Sequence, residues 1–234
     1  MGGKLVGKED VALKRDLVIV IDGPAGSGKS TVSRLLARQL SYLYLDTGAL
    51  YRAVAYLVGR EGVSGNDEQA IYDLLKSADI RLQKSGDGLR VYVRGEDVTG
   101  HLRTEEIGLM ASKISALPLI REMLLPIQRK AAASGGIVAE GRDMGTIVFP
   151  DADVKFFLDA GEKERIQRRF MELSDRGAGI PYGNIARDMR LRDLQDRERA
   201  VAPLRPHEEA MIIDTSSMTI AEVIEAMLGI INNS

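Results

Sequence analysis

Gly23-Pro24-Ala25-Gly26-Ser27-Gly28-Lys29-Ser30, extended by Thr31, carries the strongest chemical signal in the chain. It fits the spacing G-x-x-x-x-G-K-[ST], which suits one task. Glycines let backbone N–H groups approach a polyphosphate with no Cβ in the way. A helix starting where the loop ends adds unpaired N–H groups and the positive end of its dipole. Lys29 is then placed to reach the β- and γ-phosphates, and Ser30 to ligate Mg2+.

Three further clusters could work beside this loop. In Asp46-Thr47-Gly48-Ala49-Leu50-Tyr51-Arg52, a hydroxyl and a guanidinium projected from a helix start could hold a second phosphate, because the planar fork of Arg52 suits phosphate oxygens. The same residues also read as an ordinary helix start, capped by Asp46 or Thr47, with Arg52 in water. Ile137-Val138-Ala139-Glu140 ends a buried strand in a carboxylate, where nucleoside triphosphatases keep an acid near the metal. Glu140 is therefore a candidate metal ligand beside Ser30, directly or through water; the alternative is a carboxylate that serves only its loop. Arg142 and Asp143 follow between glycines, as binding groups or as a surface ion pair of little consequence.

The densest charge pattern spans 187–199. On a continuous helix Arg192, Asp196 and Arg199 fall at i, i+4 and i+7 and share one face. A solvated helix with internal salt bridges is the ordinary meaning of such a run. Phosphoryl transfer, however, needs cations against the charge on the equatorial oxygens and exclusion of water, which a mobile arginine-bearing flap supplies. Thr215-Ser216-Ser217 reads as a helix start capped by Ser217 or Thr219, with a place beside a nucleotide base as the alternative.

These groups need a frame to converge on. The apolar run 17–21 predicts a strand, 29–40 a helix, 42–45 a second strand and 49–58 a second helix, a β-α-β-α progression. Later strand-type runs at 137–139, 154–158 and 211–213 are separated by helix-length segments. A parallel sheet covered by helices on both faces follows, with the ligand beyond the strand C-termini. Between 61 and 101 the pattern changes to alternating residues around the turn Ser85-Gly86-Asp87-Gly88, a hairpin, with 96–99 as a third short strand or its turn, and hence an inserted subdomain. Helical patterns resume over 104–116 and from Pro118 to about 133. Residues 1–16 show no sustained period and read as a frayed leader or a remnant of expression.

Composition narrows the classes. With 234 residues, 44% of them hydrophobic, the chain suits one domain with small appendages or an insertion. It has no cysteine, which excludes a thiolate nucleophile or a Cys metal site and fits a reducing compartment. A net charge of −2, no Trp and four Phe give neither a basic stripe nor a stacking platform for nucleic acid. No apolar run reaches the roughly 18 residues of a membrane span, so a soluble, cytoplasmic protein is expected. A GTP-driven switch would need a guanine-reading N-K-x-D, which the sequence lacks.

Taken in order, G-P-A-G-S-G-K-S-T, D-T-G-A-L-Y-R, G-R-D-M-G-T, F-P-D-A and R-D-x-x-D-x-x-R-A-V-A-P-L resemble the bacterial cytidylate kinase family, from about residue 17 to the C-terminal helix. The resemblance implies an α/β P-loop kinase: a five-stranded parallel sheet covered on both faces, an inserted monophosphate-binding subdomain with antiparallel strands at 61–103, and a short helical lid at about 176–200, all within a kinase domain at 17–234. It also implies a monomer that uses ATP and Mg2+ to phosphorylate CMP and dCMP. By the same resemblance Gly23, Pro24, Ala25, Gly26, Ser27, Gly28, Lys29, Ser30 and Thr31 take the ATP phosphates, and Ser30 and Glu140 face the metal. Thr47, Arg52 and Arg142 lie near the CMP phosphate, Tyr51 is a further substrate-binding residue, and Ser112, Arg121 and Asp143 read cytosine. Arg192 and Asp196 turn toward the ribose and Arg199 toward phosphate. Lys29, Arg142, Arg192 and Arg199 form the catalytic cation set. Thr47 and Glu140 stand where the family often carries Ser and Asp, which keeps the hydroxyl and the charge. Related small kinases acting on UMP, AMP, dephospho-coenzyme A or shikimate are the nearest alternatives.

Overall fold

The computed structural model describes residues 16–86 and 88–233. Most of the leader segment and Asp87 of the hairpin turn lie outside the described residues. In chain order, β1 (Val18–Asp22) leads through the glycine loop into α1 (Lys29–Leu40). Next come β2 (Leu43–Asp46), α2 (Thr47–Arg60), α3 (Glu68–Lys76), β3 (Ile80–Ser85), β4 (Gly88–Val93) and β5 (Glu96–Asp97). After them come α4 (Glu105–Ile114), α5 (Pro118–Ala131), β6 (Ile137–Gly141), β7 (Val154–Asp159), α6 (Glu162–Asp175), α7 (Tyr182–Glu198), β8 (Met211–Asp214) and α8 (Ile220–Ile231).

The sheet runs β3-β4-β2-β6-β1-β7-β8, with β5 beside β4. Strands β2, β6, β1, β7 and β8 are mutually parallel, which is the five-stranded core the sequence predicts. Ile19, Val20 and Ile21 are fully buried because helices cover both faces, so β1 reads as a continuous apolar run and not an alternating one. Register decides which side chains share an edge. Glu140 lies opposite Ile21 on one side and Asp46 on the other, and Asp22 opposite Gly141. The ends of β1, β2 and β6 thus carry their acidic residues to one rim.

The antiparallel strands sit within the expected insertion but do not form a separate sheet. Strand β4 pairs with β2 in parallel at Tyr44 and Gly88, so β3, β4 and β5 extend the central sheet. Helix α3 was not legible beside that hairpin. It buries only Ile71 and Leu75 along nine residues, and it starts where the Asp67 carboxylate accepts from Ala70 N–H. Helix α2 begins two residues before the expected 49, since Asp46 accepts from Ala49 N–H at 3.1 Å. The large core beneath α2, α4 and α5 includes Leu50, Val54, Leu57, Ile114, Ile120 and Leu124, whereas α6 and α7 hold a small cluster of their own: Ile166, Leu173, Ile185, Ala186 and Met189.

Candidate active site

The glycine loop is shaped by close backbone approaches. Gly23 adopts φ +147°, and a Cβ there would collide with the Leu158 carbonyl; at Gly26, φ +75°, a Cβ would lie 2.7 Å from the Arg165 carbonyl. Gly28 caps α1 in the left-handed region with no side-chain cap, and no acidic residue occupies the first turn. The first N–H groups of α1 are therefore left for an anion. Lys29 folds back and donates to the Pro24 carbonyl at 2.6 Å and to Ser27 Oγ at 3.4 Å. Burial pulls its ammonium down to about 7; Arg142 and Arg192 add to this, while Glu140 and Asp22 oppose it. A polyphosphate reverses that balance by supplying negative charge.

Beside the loop, Glu140 Oε2 accepts from Ser30 Oγ at 3.0 Å. Tyr44 Oη donates to Oε1, and Thr47 Oγ1 donates to the Glu140 carbonyl at 2.7 Å. Burial, with Asp46 nearby, raises Glu140 above the ordinary carboxylate range, against the pull of Lys29. A hydroxyl and a carboxylate side by side next to a phosphate cradle form the hard oxygen set that Mg2+ takes, so the residues present fit that ion. Tyr44 escaped sequence reading because a strand tyrosine reads as core.

Across a shared cavity of about 720 Å³ lie Thr47, Tyr51, Arg52, Ser112, Arg121, Arg142, Asp143, Arg192, Asp196 and Arg199. Arg52 pairs with Asp46 at 2.5 Å, and Arg142 Nε donates to Asp196 at 2.7 Å. Arg121 forms a buried ion pair with Asp143, donates to the Ser115 carbonyl at 3.0 Å and lies over the Tyr51 ring. Ser112 Oγ donates to Gln195 Oε1 at 3.4 Å. Among the described residues, Arg52 Nε, Arg192 Nε and Arg199 Nη2 are buried with no hydrogen-bond partner, which is uncommon for buried donors. Burial, with the charge of Arg142, draws Arg192 down to about 10, against Asp196. Asp196 itself stays below the carboxylate range: burial pushes it up, but Arg142 and Arg192 outweigh that.

Arg199 departs from the helical face expected for it. Helix α7 ends at Glu198 and Arg199 is extended, with φ −58° and ψ 138°. Its guanidinium lies 3.7 Å from Asp143 and donates to Ser115 Oγ at 3.3 Å, beside Arg121. Arg142 and Arg192 are instead the arginines whose charges reach Lys29. Sequence reading also missed α6. There Arg165 donates to the Ala25 carbonyl and pairs with Asp193, Arg168 donates to Thr215 Oγ1, and Arg169 pairs with Glu105 of α4. The signal was Arg165, Arg168 and Arg169 at i, i+3 and i+4 on one helix face. Thr215 donates to the Ser27 carbonyl at 3.1 Å, and Thr219 caps α8 in a capping box with Glu222.

A glycine cradle facing an arginine-lined pocket, at the C-terminal rim of a parallel sheet, defines a P-loop phosphotransferase. The family model described as Cytidylate kinase matches residues 19–233. A cytidylate kinase of Geobacter sp. (strain M21) is 45% identical over 217 residues, 93% of this chain and 93% of that one. Another, of Vibrio parahaemolyticus serotype O3:K6 (strain RIMD 2210633), is 46% identical over 216 residues, 92% of this chain and 96% of that one. The chain belongs to the cytidylate kinase family. Among solved structures, an uncharacterized protein from Eubacterium ventriosum ATCC 27560 is 12% identical, with 94% of this chain and 100% of that one covered at a TM-score of 0.50, and shares the fold. No helix among the described residues is long and apolar enough to cross a membrane.

Proposed function

We propose that the protein transfers the γ-phosphoryl group of Mg·ATP to CMP and dCMP, giving CDP or dCDP and ADP, and that it works as a monomer on these small molecules. The observation that carries this reading is the Arg121–Asp143 pair, buried in the same cavity that Lys29 and the glycine loop line. Cytosine presents acceptors at O2 and N3 and a donor at N4; Asp143 accepts from N4, and Arg121 and Arg199 donate to the ring. Uracil reverses the pattern at both positions and leaves buried polar groups unpaired.

The donor phosphates rest on residues 23–31, and Lys29 leaves the Pro24 carbonyl for the β/γ oxygens. Thr47, Arg52 and Arg142 hold the acceptor phosphate, and Asp196, kept ionised by its arginines, accepts from the ribose. Bound by Ser30 and Glu140, Mg2+ would neutralise charge on the β- and γ-phosphate oxygens. Arg142 and Arg192, held near Lys29, offset the charge that spreads over the transferring group. The acceptor phosphate is already ionised at neutral pH, so no general base and no covalent intermediate are needed, and alignment in a closed site carries the catalysis. An ADP-release assay with CMP, dCMP, UMP, AMP, dephospho-coenzyme A and shikimate tests the reading. CMP and dCMP should give the highest kcat/KM. Equal turnover of UMP, or preference for any other acceptor, overturns it.

A further inference from the structure

Asp22 ends β1 and immediately precedes Gly23, the first residue of the donor cradle. Its carboxylate is 3% exposed, and each oxygen is committed to a backbone donor. Oδ1 accepts from Met144 N–H and Oδ2 from Gly145 N–H, both at 2.8 Å. Those two residues open the π-helical turn Met144–Val148, directly after Asp143. Only a carboxylate can take both amides: an asparagine at this position offers one acceptor and points an NH2 at the other donor. Gly145 packs in ordinary contact here, since a Cβ on it would lie 3.6 Å from Asp22 Oδ2, 3.4 Å from Lys155 Cδ and 3.5 Å from His207 Cβ. Burying a carboxylate here is costly, and an apolar side chain would be easier to accommodate if stability were the only requirement.

We propose that Asp22 is a positioning residue that ties the donor cradle to the loop reading the acceptor base, holding Arg142 and Asp143 at a set distance from Gly23 and Lys29 before the acceptor arrives. It acts through Met144 and Gly145 and touches no reacting atom. The inference rests on the CMP phosphorylation reading above.

The test is steady-state kinetics of the full chain with Asp22→Asn. KM for CMP should rise about tenfold, the cost of one buried hydrogen bond lost and one donor stranded. KM for ATP should stay within about twofold, and the preference for CMP over UMP should narrow. On top of Asp143→Asn, the same change should cost clearly less, since the two act through one loop. Unchanged KM values, or equal rises for ATP and CMP, overturn the proposal, as does full additivity. A lower melting temperature with both KM values unchanged overturns it as well. Should the variant fail to fold, amide exchange in the wild type decides. Met144 and Gly145 should be protected without CMP, and exchange that slows only when CMP is added overturns the proposal. Absence of CMP turnover by the wild type would instead remove the phosphorylation reading, and the exchange measurement would still decide whether Asp22 holds the loop.

Discussion

The glycine loop proposed for the donor occupies consecutive residues 23–31 and is made largely of backbone, whereas the pocket proposed for the acceptor collects Thr47, Arg52, Ser112, Arg121, Asp143, Asp196 and Arg199 from α2, α4, α5, the loop after β6 and the end of α7. In the first, conformation creates the chemistry: glycines at positive φ bend the loop, and α1 supplies its dipole. In the second, side chains create it, and several are held by others distant in sequence, as Asp143 is by Arg121 across 22 residues and Asp196 by Arg142 across 54. On that reading the cradle is expected to tolerate exchange of most side chains but not of its glycines or Lys29. The proposed pocket is expected to tolerate side-chain exchange poorly, because removing one member of a buried pair strands its partner.

That contrast can be broken at several points. The largest expected effect is on the donor side: Lys29→Met should lower kcat by about 10²–10³-fold, the scale for losing one preorganised charge on the transition state, while CMP binding measured by calorimetry changes little. Equal losses in CMP affinity would mean that the two regions are not separable. On the acceptor side, Asp143→Asn should lower kcat/KM for CMP by about 10–100-fold, from an estimated 1–3 kcal/mol for a mispaired base edge, and narrow the gap to UMP in a side-by-side assay. An unaltered CMP to UMP ratio would remove Asp143 from base reading. The smallest effect is a proton. At pH 8 the Lys29 amine, drawn to about 7, is mostly neutral, and the phosphates of a nucleotide favour its charged form. Binding of metal-free ADP should then take up a substantial fraction of a proton, falling as pH drops well below 7, where Lys29 is already charged. Calorimetry in two buffers of different ionisation enthalpy reads this directly; proton release at pH 8 would contradict it.

Legibility followed the same division. Strand β1, the glycine loop and α1 were readable because an apolar run, positive-φ residues and a helical period lie next to one another. The D-T-G-A-L-Y-R and G-R-D-M-G-T motifs marked the pocket by residue type, yet not by partner. Asp46 was legible as a cap of α2, but its pairing with Arg52 was not, since Arg52 read as a phosphate ligand or as a residue in water, and nothing local announces that Arg121 meets Asp143. Arg199 was placed on a helical face by its spacing, but α7 stops one residue short of it and turns it toward Asp143. Tyr44 and Asp22 stayed hidden because strand residues are read by burial period, and their partners arrive from β6 and the loop after it.

By itself the sequence determined the phosphate cradle, the parallel α/β plan and the stock of guanidinium and carboxylate groups, since these depend on backbone preference and periodicity over a few residues. Tertiary structure alone decided which charge answers which. Register between β1, β2 and β6 aligns Glu140 with Asp46, and burial then fixes the pairing, because a charge removed from water must be met by a partner or change its protonation.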